Sequence, residues 1–193
     1  PVASPTQSRQ YKVTGNLGKC QAEDSLFITV SPYPFVFAGN DTSICFGDRL
    51  QLSGEVSSNS YEWSPTTLML NPDSLNPVAA TTKSTYYVLT AHGYEQCPKS
   101  KSDSVFVTVI PPVNAFAGND TVVTGDEPLL LQASGGLNYS WSPALYLNDP
   151  SIANPVVMLS NNIDSMRYHL RVTTAEGCVG EDEISIVVFK TCP

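Results

Sequence analysis

The stretch FAGNDT stands at Phe37–Thr42 and again at Phe116–Thr121. Aligning the chain on the two copies brings YEWSP (Tyr61–Pro65) onto YSWSP (Tyr139–Pro143) and LNPVA (Leu75–Ala79) onto ANPVV (Ala153–Val157). Further on, SVFVTV (Ser104–Val109) falls on EISIVV (Glu183–Val188). Self-similarity sustained over roughly eighty residues is the mark of an internal repeat. A partial copy opens the chain, because Pro1-Val2-Ala3 matches Pro77-Val78-Ala79 and DSLFITV (Asp24–Val30) matches DSVFVTV (Asp103–Val109). The expected organisation is therefore residues 1–30 as the C-terminal part of a preceding repeat, residues 31–110 as a full repeat and residues 111–193 as a second full repeat.

Each full unit has the length of a small β-sandwich, and its patterning agrees. Short alternating runs lie between turn signals: RLQLSG (Arg49–Gly54), NSYEWS (Asn59–Ser64), TYYVLTA (Thr85–Ala91) and SVFVTVI (Ser104–Ile110). In TYYVLTA the alternation puts Tyr86, Val88 and Thr90 on one face and Tyr87 and Leu89 on the other. In YHLRV it turns Tyr168, Leu170 and Val172 inward and His169 and Arg171 outward, as in antiparallel strands with one wet face. The stretches LNPDSLNP and LNDPSIANP are excluded from central strands, since proline lacks the donor a ladder needs. SPYPF (Ser31–Phe35) and PPVNAF (Pro111–Phe116) fall between units, where prolines make stiff linkers. The predicted fold class is all-β, with tandem immunoglobulin-like sandwiches. Trp63 and Trp141 then occupy the strand on which such sandwiches bury a tryptophan, and are expected to be core anchors.

The net charge of −8 disfavours nucleic-acid and anionic-membrane partners by repulsion. No apolar run reaches the ~20 residues a membrane-spanning helix needs, so membrane insertion is not expected. His92 and His169 are the only histidines, and neither has a sequence context that suggests a nucleophile or a metal partner. No catalytic residue is assigned, and the chain is expected to be no enzyme and to need no cofactor. The acidic run Glu181–Glu183, taken with Gly118–Asp120, offers oxygen ligands for calcium if both lie at one edge of the sandwich, with a solvated acidic edge as the simpler reading.

The run AGNDTSICFGDRLQLSG, then YEWSP, then LNPVAATTKSTYYVLTAHGYEQC, then DSVFVTV resembles the PKD-like, immunoglobulin-type repeats of very large Bacteroidota surface proteins exported by the type IX secretion system. VVFKTCP (Val187–Pro193) resembles the junction where such proteins pass into a gliding-motility-associated C-terminal sorting domain. The resemblance implies a cell-surface or extracellular, non-enzymatic adhesin stalk linked to attachment or gliding. The expected partners are adjacent repeats of the same longer chain, surface polysaccharide or other cell-surface proteins. A structural subunit of an extracellular filament or sheath, and spacer modules of a secreted hydrolase, remain alternatives. The resemblance also implies O-glycosylation at Asp-Ser/Thr-apolar tripeptides, which places candidate sugars on Ser25, Ser74, Ser104, Thr121 and Ser165; the same dipeptides are favoured at turns and strand entries in any case.

The five cysteines complete the expectations. Cys20, Cys97 and Cys178 follow the penultimate strand of their units, Cys45 precedes the second strand and Cys192 lies near the end. An exported chain oxidises its thiols, and an odd number leaves at least one partner elsewhere. The first and last hairpin turns of an immunoglobulin-like sandwich lie at opposite ends, about 20 Å apart for strands of six residues, against the ~7 Å between Cα atoms that a disulfide tolerates. Stacked modules would bring Cys45 to Cys178 instead, with Cys20 and Cys97 pairing outside this stretch. Pairing of Cys45 with Cys97 inside one repeat stays open.

Overall fold

The computed structural model describes residues 2–93 and 98–190. They form two compact units, one of Pro1–Thr42 with Gly47–Thr108 and one of Ser43–Phe46 with Val109–Pro193. Every regular element is a strand. In chain order the first eleven are β1 (Arg9–Leu17), β2 (Cys20–Ile28), β3 (Val36–Phe37), β4 (Thr42–Cys45), β5 (Leu50–Gln51), β6 (Glu55–Val56), β7 (Tyr61–Ser64), β8 (Met69–Leu70), β9 (Val78–Ala79), β10 (Thr85–Ala91) and β11 (Lys101–Ile110). The rest are β12 (Thr121–Thr124), β13 (Pro128–Leu130), β14 (Asn138–Ser142), β15 (Val156–Met158), β16 (Ser165–Thr173) and β17 (Val179–Phe189).

The first full repeat contributes a sheet of order β4-β11-β10-β7, faced by short ladders of β3 with β6 and of β5, β9 and β8. The second repeats it as β12-β17-β16-β14, faced by β13 with β15. The last two strands of each repeat are antiparallel neighbours, the tryptophan strand joins the penultimate one antiparallel, and β12 runs parallel to β17. This is an immunoglobulin-type sandwich written twice, with the last hairpin and the tryptophan strand in one sheet and the second strand in the other.

The cores follow from the alternation of side chains across a strand. Along β10, Tyr87, Leu89 and Ala91 are fully buried, while Tyr86 is 62% exposed and stacks on Phe106 with ring centroids 4.4 Å apart. Along β16, Tyr168, Leu170 and Val172 point inward and His169 and Arg171 outward. Ile184, Ile186 and Val188 of β17 meet Leu131, Val157 and Leu159 from the opposite layer. Trp63 and Trp141 are each 3% exposed.

The structure revises three expectations. RLQLSG is not one strand: pairing is confined to Leu50–Gln51, and β6 pairs with β3 only from Glu55. Between them lies Gly54, where a Cβ would fall 2.8 Å from the Leu89 side chain and 3.0 Å from the Trp63 ring, so the glycine lets the layers approach. The proline stretches are not bare linkers. Pro34 is fully buried, the Phe35 amide donates to Ser57 Oγ at 2.8 Å, and Val113 packs against the core of the second unit. Finally, the N-terminal part-repeat supplies a single hairpin, β1 with β2, and its Val2-Ala3 match to Val78-Ala79 is not a strand. Val2-Ala3 corresponds to β9, which exists in the full repeat through its pairing with β5 and β8, and the N-terminal copy has neither partner.

Candidate functional site

The repeated FAGNDT is a backbone clamp. In the first unit the Ala38 amide donates to Asp103 Oδ2 at 2.8 Å, while Asp41 Oδ1 accepts from the Phe106 amide at 2.8 Å. In the second, the Ala117 amide donates to Asp182 Oδ2 and the Ser185 amide to Asp120 Oδ1, again at 2.8 Å each. Two carboxylates thus exchange charge-assisted bonds between the start of the repeat and its last strand. The turn between them needs glycine: Gly39 and Gly118 have φ of 99° and 102°, in the region that L side chains avoid. Ala38 and Ala117 are at most 1% exposed, which leaves no room for a bulkier residue beside the clamp.

The second repeated motif is also structural. Trp63 Nε1 donates to the Leu75 carbonyl at 3.1 Å and Trp141 Nε1 to the Ile152 carbonyl at 3.0 Å. A buried indole N–H needs such a partner, and the proline-rich loop provides it in both units. Both motifs end in a cis Ser-Pro bond, Ser64–Pro65 and Ser142–Pro143. In the second unit the buried Tyr168 hydroxyl donates to the Leu145 carbonyl at 2.8 Å, and burial, with a smaller contribution from Tyr146, pushes its pKa up to about 12.

Cys45 and Cys178 are joined by a disulfide, their Cα atoms 5.5 Å apart and 133 residues apart in sequence. Cys45 ends β4, and the segment Ser43–Phe46 belongs to the second compact unit although it is spelled within the first repeat. The open alternative, Cys45 with Cys97, is thereby displaced. Cys20, the first residue of β2, is an exposed free thiol; Cys97 and Cys192 lie outside the described residues.

The calcium reading finds no support in the geometry. Asp182 turns inward to the Ala117 amide while Glu181 and Glu183 turn outward on the same strand, and Asp120 is engaged by Ser185. Among the described residues no three His, Cys, Asp or Glu side chains converge on a metal position. On the outer face of β16 and β17, Glu183 lies 3.2 Å from Arg167 and 3.4 Å from His169, both exposed. His92 meets Ser100 Oγ at 3.1 Å and Glu62 at 3.5 Å. Exposed pairs of this kind bind each other weakly.

Of the candidate glycosylation positions, Ser25, Ser104 and Ser165 are exposed on strands, whereas Ser74 and Thr121 are half-buried. Ser74 Oγ accepts from the Asn76 amide inside a turn. Asp103 and Asp120, which precede Ser104 and Thr121, are the clamp carboxylates.

No family model matches the chain, and no curated protein matches it. Among solved structures it is similar to immunoglobulin domains 1 and 2 of DIP-gamma, at 10% identity over 83% of this chain and 99% of that one, with a TM-score of 0.45. Extracellular domains 3–5 of Drosophila OTK match at 9% identity over 95% of this chain and 72% of that one, TM-score 0.45. Cadherin domains 1–4 of protocadherin gamma B7 match at 13% identity over 96% of this chain and 59% of that one, TM-score 0.40. These likenesses are weak, and the assignment of an immunoglobulin-type fold rests on the strand order.

Proposed function

We propose that the chain is part of the non-enzymatic stalk of a bacterial cell-surface adhesin, exported by the type IX route and serving attachment or gliding. The observation that carries this reading is the Cys45–Cys178 bond between residues spelled in two successive sandwich repeats. A disulfide of that span belongs to an oxidising compartment, outside the cytoplasm. The repeated motifs are spent on backbone clamps and core anchoring, as a module under mechanical load requires. The export route and the link to gliding rest on the sequence resemblance alone, as do sugars on the exposed Ser25, Ser104 and Ser165. The half-buried Ser74 and Thr121 are less accessible candidates.

The test is made on intact cells. Antibody raised against the chain should label unpermeabilised cells, and deleting the coding segment should reduce attachment under flow. Labelling only after permeabilisation, with attachment unchanged by the deletion, refutes the reading.

A further inference from the structure

The hairpin of β1 and β2 carries an apolar face against which no layer packs among the described residues. Tyr11 lies opposite Leu26, as Tyr87 lies opposite Val105 and Tyr168 opposite Ile184. Val13 lies opposite Asp24, as Leu89 lies opposite Asp103 and Leu170 opposite Asp182. The hairpin is therefore the third copy of the last hairpin of the repeat. Its counterparts are core: Tyr87, Leu89, Tyr168 and Leu170 are at most 1% exposed, whereas Val13 is 66% and Leu26 63% exposed. Asp24 stands where the clamp carboxylates Asp103 and Asp182 stand, yet it accepts from the amide of its own neighbour Ser25, at 2.8 Å.

We propose that this face is the acceptor half of a third sandwich, and that its occupant is a repeat-like segment with its own Ala-Gly-x-Asp turn and its own Trp-Ser-Pro strand. The two complete units specify the contacts. The occupant's alanine amide donates to Asp24, and its aspartate accepts from the Phe27 amide, as Asp41 does from Phe106 and Asp120 from Ser185. Its tryptophan strand adds antiparallel to β1 with the tryptophan opposite Val13, as Trp63 stands opposite Leu89 and Trp141 opposite Leu170. The strand after its aspartate runs parallel to β2, as β12 does to β17. A second copy of this chain has no spare set, because both of its alanine turns are already held by Asp103 and Asp182. The ten-residue step from Pro77 to Tyr87 recurs from Pro1 to Tyr11, so residues 31–76 are the part of the first full repeat that lies ahead of the equivalent stretch.

The test extends the full chain. A copy of residues 31–76, its cysteine replaced as in Cys45→Thr, is joined ahead of Pro1; a second version carries residues 111–154, which contain no cysteine. Hydrogen exchange of the β1 and β2 amides is compared with that of the unextended chain. In at least one version these amides should slow by about a hundredfold, as amides do on entering a cooperative core. Asp24→Asn in that version should remove most of the slowing, and Lys12→Gln, on the opposite face, should leave it. Exchange unchanged in both versions overturns the proposal. So does slowing that appears in the unextended chain as its concentration rises, which would give the face to a second copy.

Discussion

Four carboxylates decide more of this structure than their number suggests. Asp182 serves the buried Ala117 amide, so Asp182→Ala strands an N–H in the core of the second unit and should cost about 1–3 kcal/mol in urea unfolding, with Asp182→Asn costing less. A stability equal to that of the parent chain in both variants would contradict the clamp. Tyr168 gives a second test at this scale. Its hydroxyl pKa is raised from the ordinary tyrosine value to about 12, so the folded state holds its proton where the unfolded chain has lost it. The stabilisation is whole below pH ~10 and is lost as pH rises towards about 12, by at most about 2–3 kcal/mol. Tyr168→Phe should be less stable near neutrality, lacking the bond to the Leu145 carbonyl, and should lose less than the parent between those pH values. Thermal melts across that window check both, and parallel losses in the two proteins would refute the assignment.

At the scale of elements, alternation was legible wherever a strand has one dry and one wet face. Tyr87 and Leu89, and Tyr168, Leu170 and Val172, separate from their neighbours in the sequence as they do in the structure. The second strand of the first repeat was not legible, because Gly54 and the short ladders around it depend on the layer opposite. The clamp was visible as a repeated string, but its purpose was hidden by distance. Its one sequence signal is that Ala38 to Asp103 and Ala117 to Asp182 both span 65 residues, although the tryptophans shift by one in the same alignment. Trp141 ties β14 to the proline-rich loop through Ile152. Trp141→Ala removes that tie along with the buried ring, and should lower the stability of the second unit by roughly 3–5 kcal/mol. A melting curve matching the parent's would show that β14 does not depend on it.

For the whole molecule, one covalent bond reaches across the repeat boundary in the sequence. The disulfide joins cysteines 133 residues apart in sequence, and closing a loop of that span in the unfolded chain is worth about 2–5 kcal/mol to the folded state. Its pairing also separates this account from the simplest alternative, in which each repeat staples itself. Thr124 stands where the second repeat would place a counterpart of Cys45, so the second repeat has no such staple to offer. The most direct measurement is peptide mapping of the native protein, digested without reduction after free thiols have been blocked. The account predicts a cross-linked species joining the Cys45 peptide to the Cys178 peptide, with Cys20 recovered blocked as a free thiol from the isolated chain. A Cys45–Cys97 cross-link, or blocked free thiols at both Cys45 and Cys178, would contradict it.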